Sequence, residues 1–199
     1  MNSAFLALER YLLNLPLSKE AVESVLNCFS IKVLARNAYF ARSGEIKDRL
    51  GFVVNGLFAM QVERPGLPAY IKDFLKEGDF LLATFDPQSE NLVTIQALQE
   101  SRILEARYSD IQMLNERFPE FHFLAERGMQ HRYQAICDRL EEMSTLDARG
   151  RYSLFQSTFG DLEENIPQYL VASYIGVTPT QLSRIRNSPE KSVKMSQQM

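Results

Sequence analysis

Residues 168–186 read QYLVASYIGVTPTQLSRIR, and the order of residue types in that stretch dictates two short helices with a sharp turn between them. Pro167 stands where a helix start loses nothing from a missing N–H. Gly176 ends the first helix, because a glycine there adopts the left-handed conformation that lets the chain leave at a steep angle. Ala172 is small, as close helix crossing demands. The second helix has a full start signal: Thr178 as N-cap, Pro179 as the first helical residue and Gln181 closing a T-x-x-Q capping box. Val177 and Leu182 form the accompanying hydrophobic staple. Leu182 and Ile185 turn inward, so the 3.6-residue period leaves Thr180, Arg184 and Asn187 on the opposite, polar face.

A helix-turn-helix with such a face is expected to bind double-stranded DNA, its second helix entering the major groove. Arg184 is suited to guanine O6 and N7. Thr180 and Gln181 are expected at neighbouring bases or phosphates, and Gln168, Thr178 and Arg186 at the backbone. Gln181 has a competing duty in the capping box. A net charge of -3 over 199 residues runs against a nucleic-acid partner in total but not locally. From Thr178 onward Arg184, Arg186, Lys191 and Lys194 face the single acid Glu190, and phosphate neutralisation depends on local charge.

Upstream, residues 144–150 (STLDARG) are polar and end in glycine, which reads as a domain boundary. A helix over Arg151–Phe159, ended by Gly160, follows it. Before the boundary, Met129, Tyr133, Ile136, Leu140 and Met143 step by 4, 3, 4 and 3 along a long helix opened by Pro119, a heptad-like seam. Two uses stay open for it: docking on the chain's own β-domain, or pairing with a second copy. From Ile31 to Arg107 the texture is β-rich. IKVLA, AYFA, LGFVV, LFAMQV, YIKDFL, LVTIQAL and RILEA are separated by polar or glycine turns, giving seven or eight short strands of a sandwich or barrel. Gly44, Gly56, Gly66 and Gly78 fall in those turns. Residues 3–29 read as two short helices around Pro16, the second capped by Ser18, covering the β-region.

The predicted organisation is therefore 1–118, a β-roll with N-terminal helices; 119–145, a long linker and dimerisation helix; 146–187, the helix-turn-helix region; and 188–199, a polar tail. The fold class is α+β.

This order of parts resembles the cyclic-AMP receptor protein and fumarate-nitrate regulator (Crp/Fnr) superfamily. The resemblance is carried by ARSGE (41–45), FVVNG (52–56), EGDF (77–80), IQAL (95–98) and the stretch 166–186. It implies a cupin-like jelly-roll sensor, a homodimerising helix and a DNA-binding domain, hence a transcriptional regulator. Two departures matter. Cyclic-nucleotide binders of the family carry a Gly-Glu pair after EGDF and an Arg-Ser or Arg-Thr pair before the next strand. Here Leu82-Ala83 and Asn91-Leu92 stand there, so no guanidinium neutralises a cyclic phosphate and no carboxylate meets a ribose hydroxyl. The effector is then unknown and not cyclic AMP; an apolar pocket near Phe74, Phe80 and Phe85 is one expectation, a β-roll that binds nothing and whose aromatics fill the core the other. The second departure is the missing hairpin after Arg186.

Other classes have little support. An iron-sulfur sensor needs about four thiolates, and only Cys28 and Cys137 occur, without the spacing of a metal or disulfide framework. His122 and His131, nine helical residues apart, fall on opposite faces. No cofactor or metal is expected. No nucleophile-base pair or carboxylate dyad suggests an enzyme. Export and membrane spanning are not expected, since Phe5–Leu17 is broken by Glu9, Arg10 and Pro16, and the chain reads as cytoplasmic. The rival reading is a ligand-binding or protein-interaction module whose helix-turn-helix does not touch DNA.

Overall fold

The computed structural model describes residues 3–64 and 66–187; the polar tail 188–199 lies outside them. The chain divides into two compact units, Met1–Arg139 and Leu140–Met199.

Alternation of side chains builds the first unit. Its strands are β1 (Ser30–Leu34), β2 (Tyr39–Ala41), β3 (Leu50–Asn55), β4 (Leu57–Arg64), β5 (Leu67–Lys76), β6 (Phe80–Leu81), β7 (Thr94–Ala97) and β8 (Ser101–Ala106). They form two antiparallel four-stranded sheets, ordered β1-β8-β3-β6 and β2-β7-β4-β5. In the first sheet Phe52 pairs with Leu104 and Val53 with Ile103. Because successive residues point to opposite faces, these neighbouring pairs enter different cores. Val53 and Ile103 join Leu34 and Leu81 against Phe58, Met60, Leu75 and Ile95 of the second sheet. Phe52 and Leu104, with Leu50 and Ala106, pack instead against α1 (Ser3–Leu13), α2 (Lys19–Cys28) and Phe118. The N-terminal helices thus cover the outer face of one sheet, as their position ahead of the strands suggested. Ser18 caps α2, its Oγ accepting from the Ala21 N–H at 3.2 Å.

All seven β-rich runs become strands; β6, two residues long, is too short to leave a pattern. The four turn glycines all have positive φ, and Gly56 between β3 and β4 shows why one is obligatory. At φ +139, a Cβ there would stand 2.2 Å from Ser101 Oγ, so both conformation and space exclude a side chain.

After α3 (Tyr108–Arg117), α4 (Glu120–Thr145) runs from the first unit into the second. The second unit continues with α5 (Ala148–Phe159), a 3-10 turn (Gly160–Asn165), α6 (Gln168–Ile175) and α7 (Pro179–Asn187). Here the structure corrects the start of the helix read as beginning at Arg151. Only Leu146 and Asp147 separate α4 from α5, and α5 begins three residues before Arg151. Asp147 is the reason: its Oδ1 accepts from the Gly150 N–H at 2.7 Å, which makes it an N-cap and places Gly150 in the first turn of α5. Gly160 keeps right-handed geometry and leads into the 3-10 turn. The fold is mixed α and β with antiparallel sheets and seven α-helices among the described residues, and no described helix is long and apolar enough to cross a membrane.

Candidate nucleic-acid interface

Two helices and a three-residue turn form the candidate surface. Pro167 is the residue just outside α6 rather than its first helical one, with ψ at 134° and its carbonyl accepting from the Leu170 N–H at 2.9 Å. At the far end Gly176 has φ +72. The Val177 N–H donates to the Ala172 carbonyl at 2.9 Å and the Gly176 N–H to Ser173 at 3.3 Å, which closes the helix in a Schellman motif. The capping box of α7 is complete. The Thr178 N–H donates to Gln181 Oε1 at 2.9 Å, and the Gln181 N–H donates to Thr178 Oγ1 at 3.2 Å. Thr178→Ala removes one half of this exchange and should cost about 1 kcal/mol, read as a lower urea midpoint with unchanged slope; an unaltered midpoint would mean the cap contributes nothing.

Beneath these helices lies a small core of Tyr152, Phe155, Phe159, Ile166, Leu170, Val171, Ala172, Ile175 and Leu182. Phe155 is its centre, with ring centroids of Tyr152, Phe159 and Tyr174 at 6.3, 5.5 and 5.9 Å. From α7 only Leu182 is fully buried. Thr180, Gln181, Arg184 and Asn187 are exposed, as are Thr178 and, at the start of α6, Gln168. The outward face predicted from helical periodicity is therefore present as one polar surface.

Arg186 is different. Its Nη2 pairs with Glu163 Oε1 and its Nε donates to the Tyr152 hydroxyl at 3.1 Å. That hydroxyl donates to Glu163 Oε1 at 2.9 Å and accepts from Gln156 Nε2 at 3.1 Å. Burial pushes the Tyr152 phenol above its ordinary range, opposed in part by the Arg186 hydrogen bond, so it remains a donor at neutral pH. Burial, the largest single influence, would lower the Arg186 guanidinium; the hydrogen bonds and charge of Glu163 and Tyr152 together outweigh it and keep the group charged. A phosphate contact from Arg186 would compete with this ion pair. Tyr152, Glu163 and Gln156 were not foreseen, although the helical count places Arg186 about 40° from Leu182 and thus on the inward face.

Arg151 was likewise unforeseen. Its Nε donates to the Ile175 carbonyl at 2.7 Å and its Nη1 to the Leu146 carbonyl at 2.6 Å. Met143, from the last turn of α4, lies over Gly176, where a Cβ would come within 2.9 Å of its Cε.

The α4 seam does not pack away within its units. Met129, Tyr133, Ile136 and Leu140 are 69%, 70%, 59% and 68% exposed, and Met143 is 41% exposed. The side chains of His122 and His131 lie outside the described residues. The three phenylalanines named for an effector pocket occupy separate settings. Phe74 is buried on β5 of one sheet; Phe80, on β6 of the other, packs edge-on to Tyr11 and Phe52 at 5.2 and 5.1 Å; Phe85 is 55% exposed in the following loop. Where the family resemblance would set the second cassette pair, buried Asn91 links two loops, its Nδ2 donating to the Arg42 carbonyl at 3.1 Å and its N–H to the Glu45 carbonyl at 2.9 Å.

The architecture has solved counterparts. The chain is similar to FixK2 from Bradyrhizobium japonicum, with TM-score 0.71 and 12% identity over 79% of this chain and 82% of that one. It is similar to CLP, a c-di-GMP responsive global regulator from Xanthomonas campestris, with TM-score 0.66 and 13% identity over 84% and 89%. A mutant of CooA from Carboxydothermus hydrogenoformans gives 0.62 and 18% over 82% and 77%. Alignments of that span necessarily include part of the second unit. The fold is that of the Crp/Fnr regulators. No family model matches the chain, and no curated protein matches it, so the likeness to Crp/Fnr proteins is one of structure at low identity.

Proposed function

We propose that this chain is a sequence-specific DNA-binding transcriptional regulator of the Crp/Fnr type, working as a homodimer. The observation that carries the reading is the exposed polar face of α7, Thr180, Arg184 and Asn187, on a helix whose opposite side is anchored by Leu182. A helix-turn-helix presents its second helix to the major groove in this way. Arg184 reads bases, Thr180 and the amide donors of Gln181 serve adjoining bases or phosphates, and Gln168 and Thr178 face the backbone. Arg186 enters the reading with its guanidinium already engaged by Glu163.

Pairing of two copies through Met129, Tyr133, Ile136 and Leu140 is supported by their exposure in a 4-3-4 spacing. Burial of each such side chain contributes roughly 1.5–3 kcal/mol, and solvent is a poor neighbour for four in a row. A β-roll sensor would sit upstream, its effector a small molecule other than cyclic AMP. Leu82-Ala83 offers neither charge nor hydrogen-bonding side chain, and the Asn91 amide is spent on the Arg42 carbonyl. Phe74, Phe80 and Phe85 do not by themselves outline a common cavity.

Selection of duplexes from a random pool by the purified protein tests the reading. The expected output is an inverted repeat with half-sites about 34 Å, one helical turn, apart, enriched equally with and without cyclic AMP. A pool that shows no enriched sequence favours the interaction-module reading, and a single unrepeated site removes the dimer.

A further inference from the structure

The polar network around Arg186 is largely withdrawn from solvent. Arg186 and Glu163 side chains are only 23% and 14% exposed. They join the last turn of α7 to the 3-10 turn before α6, with Tyr152 tying both to α5. Leu182 is the only fully buried side chain of α7, with Ile185 half-buried beside it, so the apolar contacts of this nine-residue helix are few and its last turn has room for a polar anchor. Arg186 lies one turn further on, on the same inward face, and supplies a second anchor. The described part of α7 ends at Asn187, directly beyond it.

Resting on the DNA-binding reading above, we propose that Arg186 is a positioning residue: through Glu163 and Tyr152 it sets the angle at which α7 presents Thr180 and Arg184, and it does not itself hold a phosphate. The hydroxyl of Tyr152 donates one hydrogen bond and accepts two, so its bonding capacity is filled within the network.

The two roles differ in sign at Glu163. As a simple negative charge near DNA, Glu163 should weaken binding, and Glu163→Gln should strengthen it. As the partner that aims α7, its loss should weaken specific binding. The experiment compares the parent, Glu163→Gln, Arg186→Gln and the double variant on a duplex selected by the parent and on poly(dI-dC), across a range of salt. The expected result is a roughly 10-fold loss of specific affinity for each single variant, with the double no weaker than either, as coupled residues behave. The salt slope and the poly(dI-dC) affinity should stay at parental values. The proposal is overturned if Glu163→Gln binds as well as or better than the parent while Arg186→Gln flattens the salt slope by about 0.9 for each arginine withdrawn from a phosphate. Amide exchange of α6, followed in the same variants, should stay protected; its collapse would make the network fold-maintaining and overturn the positioning role. A charge swap, Glu163→Arg with Arg186→Glu, should recover part of the lost specificity, and complete loss there counts against it. A parent that enriches no sequence sinks the underlying reading itself, a result separate from all of these.

Discussion

Arg184→Ala is expected to abolish discrimination between a selected duplex and competitor DNA while leaving the protein folded. Arg184 is exposed on α7, four residues from Thr180 and on the side opposite Leu182. A bidentate arginine–guanine contact contributes about 1–3 kcal/mol of discrimination. In a two-fold dimer both copies lose it, so the combined loss is about 2–6 kcal/mol, roughly 30-fold to 10^4-fold in affinity. Non-specific binding should fall far less, since it rests on charge. Titration of labelled duplex at several salt concentrations gives both quantities. Parental affinity of the variant for the selected duplex would remove Arg184 from the reading surface.

Phe155→Ala should have the largest structural effect. Phe155 is 2% exposed and meets three aromatic rings. Deleting a buried phenylalanine side chain costs about 3–5 kcal/mol, and a single core in a unit under about 70 residues rarely supplies more than about 3–5 kcal/mol. The two figures are of the same size, so the second unit should unfold while the strands of the first persist. Hydrogen exchange resolved by segment checks this: α6 and α7 should lose protection, and β3, β4 and β8 should keep it. Retained protection at Val171 would show that the aromatic cluster matters less than its geometry implies.

Much of the candidate surface was legible in the sequence because it is local. The T-x-x-Q box, Gly176 and the staple are short-range signals whose physics needs no tertiary partner, and the structure realises the turn and the capping box in detail. The β-region was legible as short β-rich runs between polar or glycine turns, from which a sandwich or barrel was expected, and it forms two antiparallel four-stranded sheets. What escaped was non-local or angular. Phe74, Phe80 and Phe85 lie close in sequence, yet β5 and β6 belong to different sheets, so nearness along the chain carried no nearness in space. Arg186 joined the DNA-facing set on charge alone, although the 100° step turns it toward Leu182 and Glu163. Asp147 was hidden by its neighbours: in STLDARG the glycine suggests a stop, but three residues after an aspartate it opens a helix instead.

Arg151 gives the second unit an origin that composition does not disclose. Its guanidinium holds the Leu146 and Ile175 carbonyls at once, placing one cation where the negative ends of two helices meet. Met143 rests on Gly176 in the same region. An excised fragment beginning at residue 146 would leave Gly176 uncovered and its first carbonyl at a frayed terminus, and a tag fused there would intrude on Arg151. A fragment beginning at Leu140 keeps both contacts, so the place to cut this chain lies within its longest helix.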